Sequence, residues 1–168
     1  MPVDVSSLTV EKALSMAAKS DTDAVEAYLK LQSMVKNFIL RDKLQFLAEE
    51  EKKHRKLLKE VYKKVSGGKE PPESEKSLAP RLALALQEKT TVTDLLELAM
   101  GAEKISEEFY DSLSQNVEER GLQEILQYLA SMEHGHYFLL KGEYELCLKD
   151  EAYYDREDFQ YDMVHIGP

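Results

Sequence analysis

Residues 44–62 read LQFLAEEEKKHRKLLKEVY, and residues 126–144 read LQYLASMEHGHYFLLKGEY. The two stretches align without a gap at an offset of 82 residues, and the alignment extends back to Thr9 and Thr91. Over the 54 positions that start at Thr9, 19 residues are identical to their aligned partners. The chain is therefore an internal duplication.

The duplication repeats one polar pair on an otherwise apolar helix face. Glu51 precedes His54 by three residues, and Glu133 precedes His136 by the same spacing. Residues three apart share one face of a helix, so each pair can bind a metal ion through carboxylate oxygen and ring nitrogen. Of the three consecutive acids before His54, only Glu51 aligns with an acid in the second half. Two such pairs facing each other predict a two-metal site.

Composition favours one helical globular domain. The chain has 168 residues, of which 43% are hydrophobic and 32% charged, and this length is sufficient to bury a core. Trp is absent, and Gly and Pro are sparse, which favours helices over a β-sandwich or barrel. The single Cys147 excludes a disulfide framework and an all-cysteine metal site within one chain.

Charge and hydropathy indicate which classes of partner and which cellular location to expect. A net charge of −10 argues against nucleic acid, which binds to basic patches. The acidic field would concentrate cations, or it serves solubility alone. No apolar run approaches the roughly 20 residues that cross a bilayer, and the first residues lack the basic start of a signal peptide. We expect a soluble, cytoplasmic protein that binds neither nucleic acid nor membrane.

Apolar residues recur at helical spacing in four stretches. The predicted helices cover residues 9–37, 40–65, 91–117 (or 93–117) and 122–149, with the boundaries approximate. The first two and the last two are separated by a few residues, so each pair is predicted to form an antiparallel hairpin. The fold class predicted for residues 1–150 is therefore all-α, a four-helix bundle of two antiparallel hairpins.

A long crossover and a tail complete the chain. The linker at 66–90 is long enough to run from one end of the bundle to the other, because about 25 residues at about 3.3 Å each exceed a helix length of about 40 Å. Its apolar run at 82–86 is expected to pack on the bundle, with a short helix as one form. The aromatic and acidic tail at 151–168 is expected to lie against the bundle or a partner subunit, with a frayed terminus as the alternative.

The repeat selects further acids in the first and third helices. Asp21 follows Thr9 by twelve residues, and the aligned Glu103 follows Thr91 by twelve. Both therefore lie near the middle of their helices, at the depth of the Glu-x-x-His pairs. Seven residues further on, Tyr28 and Tyr110 share these faces and are candidates to hydrogen-bond a carboxylate or to pass an electron.

The predicted site contains four carboxylates and two imidazoles. Buried carboxylates repel one another unless a cation or protons intervene, and buried charge is tolerated where it coordinates metal. Oxygen and nitrogen ligands without thiolates suit a pair of iron or manganese ions. We expect Glu51 and Glu133 to bridge the ions, with Asp21 and Glu103 as terminal ligands.

Neighbouring polar residues match the pattern of a metal ligand less well. Glu26 and Glu108 align with each other but lie off the ligand face, so they are predicted to be solvated or to support the ligands from outside. Glu107, four residues after Glu103, could add an oxygen, although its aligned partner is apolar. His134 aligns with a lysine and is predicted to lie on the surface.

From Thr9 to Asp150 the chain resembles the rubrerythrin-like branch of the ferritin-like di-iron proteins, whose pattern is a Glu from each of two helices and Glu-x-x-His from each of the other two. The two Glu-x-x-His pairs and Glu103 with Tyr110 carry this resemblance. The closing 165–168, HIGP, is a weaker similarity. The resemblance implies a ferritin-like bundle, two iron ions and a homodimer.

The chain departs from that family pattern in three places. Asp21 stands where the family has Glu, and because Asp is one methylene shorter the two metal sites are expected to differ. No four-cysteine rubredoxin domain is present, so the resemblance implies a separate electron-donor protein. The additional third-helix Glu that supports peroxide chemistry in rubrerythrins is absent, since Ile105 and Ser106 stand at the nearest positions.

Three functions follow as hypotheses. The first is a di-iron oxidoreductase that oxidises a ferrous pair with dioxygen or hydrogen peroxide, or a ferroxidase that feeds iron storage. The second is a non-catalytic metal-binding or iron-handling protein, which would hold zinc or a single metal per chain. The third is a scaffold subunit whose tail docks onto another protein.

Overall fold

The computed structural model describes residues 5–86, 89–150 and 152–153, and over these residues the chain is helical without strands. A single 3-10 turn, Val5–Ser7, precedes the first helix. Five α-helices follow: α1 Val10–Met34, α2 Phe38–Val65, α3 Pro80–Ala85, α4 Val92–Gln115 and α5 Arg120–Lys149. The four long helices confirm the predicted all-α bundle.

Side-chain caps fix where the long helices begin. The Thr9 hydroxyl accepts from the amide of Lys12, and the aligned Thr91 hydroxyl caps α4 in the same way. Such caps satisfy amides that have no partner within the helix. At the same, open end of the first hairpin, α2 stops before Gly67 and Gly68, whose φ values of 71° and 94° favour glycine.

The bundle consists of two hairpins, α1 with α2 and α4 with α5. Contacts between the hairpins join α1 to α4 and α2 to α5. Tyr28 reaches Glu103 while Tyr110 reaches Asp21, so α1 and α4 run antiparallel. The four long helices thus surround one shared interior.

That interior has apolar ends and a polar middle. One apolar cluster, which includes Leu31, Leu44 and Leu95, fills the end near the α1–α2 turn. The other, which includes Leu14 and Leu126, fills the opposite end. The polar side chains of the predicted metal site lie between the two.

The crossover packs along α1 and α4, as predicted. Its short helix α3 begins with a proline, which suits a first turn because its missing amide would have no partner there. Two residues of α3, Leu82 and Ala85, are buried against the bundle. The Lys30 ammonium donates to the carbonyls of Ala85 and Leu86, at 2.9 and 3.1 Å.

Most of the predicted tail at 151–168 lies outside the described residues, of which it includes only Ala152 and Tyr153. The Tyr153 hydroxyl donates to Glu143 at 3.4 Å, and its ring packs on the bundle. Among the described helices, none has the length and apolar character required to cross a membrane.

We predict that Leu44→Ala and Leu126→Ala, at aligned positions 1% and 0% exposed, each lower the free energy of unfolding. The expected loss is about 2–5 kcal/mol, because each leaves a cavity in one apolar cluster. The control Leu148→Ala, at a 59% exposed position, should cost less than about 0.5 kcal/mol. Urea denaturation measures all three, and a loss below about 1 kcal/mol at either core position would contradict this packing.

Candidate metal centre

Six buried polar side chains meet in the middle of the bundle. They are Asp21 on α1, Glu51 and His54 on α2, Glu103 on α4, and Glu133 and His136 on α5, each no more than 3% exposed. All six were predicted from the sequence. Burial of so many ionisable groups is costly unless protons or cations balance their charges.

The two Glu-x-x-His pairs form the centre of this group. Glu51, His54, Glu133 and His136 each offer a ligand atom, and these four atoms lie within 4.8 Å of one another. His54 Nδ1 lies 3.1 Å from Glu133 Oε1, and His136 Nδ1 lies 2.9 Å from Glu51 Oε1. Each imidazole therefore faces the carboxylate of the opposite helix, and the two rings stack with centroids 5.4 Å apart.

The two acids on α1 and α4 are placed unequally. Glu103 Oε2 lies 3.6 Å from His136 Nδ1, and Glu103 also accepts a hydrogen bond from the Tyr28 hydroxyl. Asp21 accepts a longer hydrogen bond, 3.4 Å, from Tyr110. Both tyrosines thus cross to the opposite hairpin to hold a carboxylate.

Several ligand atoms are buried without a hydrogen-bond partner among the described residues. They are Asp21 Oδ2 and the Nε2 atoms of His54 and His136. Buried polar atoms are normally paired. Unpaired buried oxygen and nitrogen atoms beside four clustered ligand residues fit a bound metal ion.

The histidines hold protons strongly in the absence of metal. Burial alone would lower the pKa of His54, but contacts with the carboxylates of Glu133 and Glu51 raise it to about 10. Burial likewise opposes charge on His136, but contacts with Glu103, Glu133 and Glu51 raise its pKa to about 12. Two imidazolium charges thus offset part of the carboxylate charge at neutral pH.

The carboxylates divide in their proton affinity. Burial raises the pKa of Asp21, and the negative charges of Glu51 and Glu133 raise it further. Burial and the charge of Glu133 raise the pKa of Glu103 in the same way. Burial opposes ionisation of Glu133 too, but hydrogen bonds to Glu103 and both imidazoles lower its pKa below the usual range.

The donor set defines which ions fit. Carboxylate oxygens and imidazole nitrogens without thiolates suit iron, manganese or zinc rather than copper(I) or an iron–sulfur cluster. The carboxylates of Glu51 and Glu133 lie between the two imidazoles. Each carboxylate has two oxygens, so this position allows each to contact both members of a metal pair.

The neighbouring polar residues lie outside this cluster. Glu107 points to the exposed His134, with 2.9 Å between carboxylate and ring nitrogen. Glu26 and Glu108 are exposed, which agrees with their predicted solvation. Ser106, one of the residues at the position of the extra family Glu, is buried.

Two further buried acids were not singled out from the sequence. Asp23 lies 2% exposed and forms an ion pair with Lys19. Glu143 lies 1% exposed at the α2–α5 contact, two turns beyond His136, and forms an ion pair with Lys43. Neither aligns with an acid in the other half, so the repeat could not select them, but the helical spacing from His136 to Glu143 was a usable signal.

A helical bundle with two buried Glu-x-x-His pairs and acids from the other two helices has the architecture of the ferritin-like di-metal proteins. A family model described as Rubrerythrin matches residues 12–144. The chain therefore belongs to the rubrerythrin family, which confirms the resemblance seen in the sequence.

A solved structure supports the same fold. A hypothetical protein from Pyrococcus furiosus is similar with a TM-score of 0.80 and 37% sequence identity, over 89% of this chain and 97% of that chain. No protein of curated function gives a significant match.

We predict that Glu51→Ala and Glu133→Ala each lower the metal content, because each carboxylate lies between the two imidazoles. From about two ions per chain, the content should fall below one. Glu49→Ala and Glu145→Ala serve as controls, since both are exposed acids on the same helices. Elemental analysis after equilibration with ferrous or manganous ions measures the content, and equal loss in the controls would point to surface binding.

Metal binding should release protons and strengthen with pH. At pH 7 both imidazoles are protonated in the metal-free protein, because their pKa values are about 10 and about 12. Each must lose its proton to bind metal, so about two protons or more should leave per chain. Calorimetry in buffers of different ionisation enthalpy counts them, and zero release would mean that metal binds without the histidines.

Proposed function

We propose that this protein is a di-iron oxidoreductase that uses dioxygen or hydrogen peroxide as oxidant. The supporting observation is the buried cluster of two Glu-x-x-His pairs whose ligand atoms lie within 4.8 Å of one another. Membership of the rubrerythrin family supports the same reaction class. Hydrogen peroxide and two protons would accept two electrons from a bound ferrous pair and become two waters.

In this proposal the chain's residues supply position and charge. Glu51 and Glu133 would contribute oxygens to both ions of the pair, and His54 and His136 would hold one ion each. The ligand atoms of these four residues already lie within 4.8 Å of one another, so little protein rearrangement is required. A site built on packed helices keeps its ligands in place as the charge of the ions changes.

The two tyrosines orient the terminal ligands. The Tyr28 hydroxyl donates a hydrogen bond to Glu103, and the Tyr110 hydroxyl donates one to Asp21. Burial and the surrounding carboxylates raise the pKa of Tyr110 well above 10, so its hydroxyl remains a donor. Each tyrosine thus selects one carboxylate oxygen and leaves the other for metal.

The electron source and the assembly belong to the same proposal. Four-cysteine electron-transfer sites cannot form from one Cys147, so an external donor protein would return the two electrons. A homodimer is proposed from the family resemblance.

A second candidate, a non-catalytic or iron-handling protein, is favoured by one observation. Asp21 contacts Tyr110 at 3.4 Å, whereas the aligned Glu103 lies 3.6 Å from His136 of the four-residue centre. One of the two metal positions would then bind more weakly. Zinc, or one ion per chain without a redox response, would favour this candidate.

We predict that Asp21→Glu raises the metal content towards two ions per chain, because the added methylene extends the carboxylate into the cluster. Elemental analysis at limiting iron compares the variant with the native protein. Asp23→Glu is the matched control on the same helix, since Asp23 pairs with Lys19 instead. Lower occupancy in Asp21→Glu would show that the cluster has no room for the longer side chain.

The proposed reaction is tested by stopped flow. The metal-free protein is loaded anaerobically with ferrous iron and mixed with hydrogen peroxide or oxygenated buffer. We expect ferric absorbance to develop at least about tenfold faster than with free ferrous iron, an acceleration that would require about 1.4 kcal/mol of barrier lowering. A rate equal to that of free iron, with metal bound, would reject the oxidoreductase and leave the second candidate.

A further inference from the structure

A basic groove of about 640 Å³ lies on the outer side of the first hairpin, between α1, α2 and the start of the crossover. Five cationic side chains line it: Lys19, Lys52, Arg55, Lys56 and Lys59. The lining contains two carboxylates, Glu70 and Glu73. Since the whole chain carries a net charge of −10, this groove opposes the overall charge balance.

Two of these cations have no carboxylate partner within the described part of the chain. Lys52 and Lys59 form ion pairs with Glu49 and Glu70, at 2.7 and 3.1 Å, and Lys19 also pairs with a carboxylate. Arg55 instead donates to the Thr22 hydroxyl at 3.3 Å, and Lys56 is exposed. Arg55 and Lys56 are therefore available to an external anion.

The groove lies directly outside the metal cluster. Arg55 follows His54 in α2, and Thr22 follows Asp21 in α1. The Arg55–Thr22 hydrogen bond joins the two helices at this level. A molecule bound in the groove would therefore contact residues that are adjacent in sequence to His54 and Asp21 of the cluster. Such proximity suits electron transfer, whose rate falls steeply with distance.

The second hairpin lacks the two unpaired cations of this groove. The positions that align with Arg55 and Lys56 are Tyr137 and Phe138. Lys104 lies over the Tyr137 ring at 5.6 Å, and Lys141 lies over the Phe138 ring at 5.8 Å. Both hairpins hold equivalent Glu-x-x-His pairs, so neither packing nor metal binding requires the cations of the first. They need a separate explanation.

We propose that the basic groove docks an acidic surface of the external electron-donor protein. This inference rests on the proposed redox function of the metal centre. The rest of the chain is acidic and would repel an acidic partner from other surfaces. The partner would therefore approach the protein at the groove. The cations on α2 extend from Lys52 to Lys59, about 10 Å at 1.5 Å per residue. That length fits a row of carboxylates on a protein better than one small anion.

Binding is tested with a fluorescent deca-glutamate peptide and iron-loaded protein, followed by fluorescence anisotropy. Arg55→Glu with Lys56→Glu should weaken binding by at least about tenfold. The matched control is Lys104→Glu with Lys141→Glu, which makes the same charge change on the other hairpin and should alter affinity less than about twofold. Equal loss in both pairs, or displacement of the peptide by millimolar phosphate, would overturn a protein-docking groove.

Electron entry is tested by reducing the ferric protein in stopped flow. The donors are anionic ferrous–EDTA and cationic hexaammineruthenium(II), each of which gives one electron per complex. The groove variant should slow reduction by the anionic donor about tenfold, without slowing the cationic donor. The control variant should slow neither. Unchanged reduction by ferrous–EDTA in the groove variant would overturn the proposal even if peptide binding is lost.

The two proposals fail separately. If the native ferrous protein is not oxidised faster than free iron, the redox function fails whatever the groove binds. If it is oxidised faster but the groove variant changes neither peptide binding nor reduction, only the docking proposal fails.

Discussion

Burial of four carboxylates and two imidazoles between two apolar clusters is the constraint on which the rest of the structure depends. Each apolar end excludes water from the middle layer, which increases the cost of every unbalanced charge there. Without metal, protons supply the balance, and both histidines keep theirs to high pH. A metal pair would replace those protons. In either state, the bundle interior requires positive charge to balance its buried carboxylates.

The duplication explains the symmetry of this centre and its departures. Aligned residues supply both Glu-x-x-His pairs and both tyrosines, and each tyrosine crosses to the opposite hairpin. Symmetry is lost at Asp21, which contacts Tyr110 at 3.4 Å, whereas the aligned Glu103 also approaches His136. It is also lost on the outer faces, where Arg55 and Lys56 of one hairpin align with Tyr137 and Phe138 of the other. The interior has kept its candidate metal ligands while the surfaces have diverged.

Much of the fold and the site was predictable, because few arrangements of helices are compatible with the patterns in the sequence. Helical periodicity, threonine caps and short connections determine two hairpins, and the repeat then selects Glu51 over its neighbouring acids. The path of the crossover was only partly predictable, since burial of Leu82 depends on contacts with two distant helices. Pairing of Glu107 with His134, and of Glu143 with Lys43, depends on side-chain direction between helices, which spacing in one helix does not give.

We expect two metal ions to bind between Glu51 and Glu133. The most direct measurement is anomalous X-ray scattering at the iron edge from crystals of the ferrous-loaded protein. We expect two peaks per chain, one beside His54 and one beside His136, with the carboxylates of Glu51 and Glu133 between them. A single peak remote from the imidazoles, or peaks only at exposed acids, would contradict it.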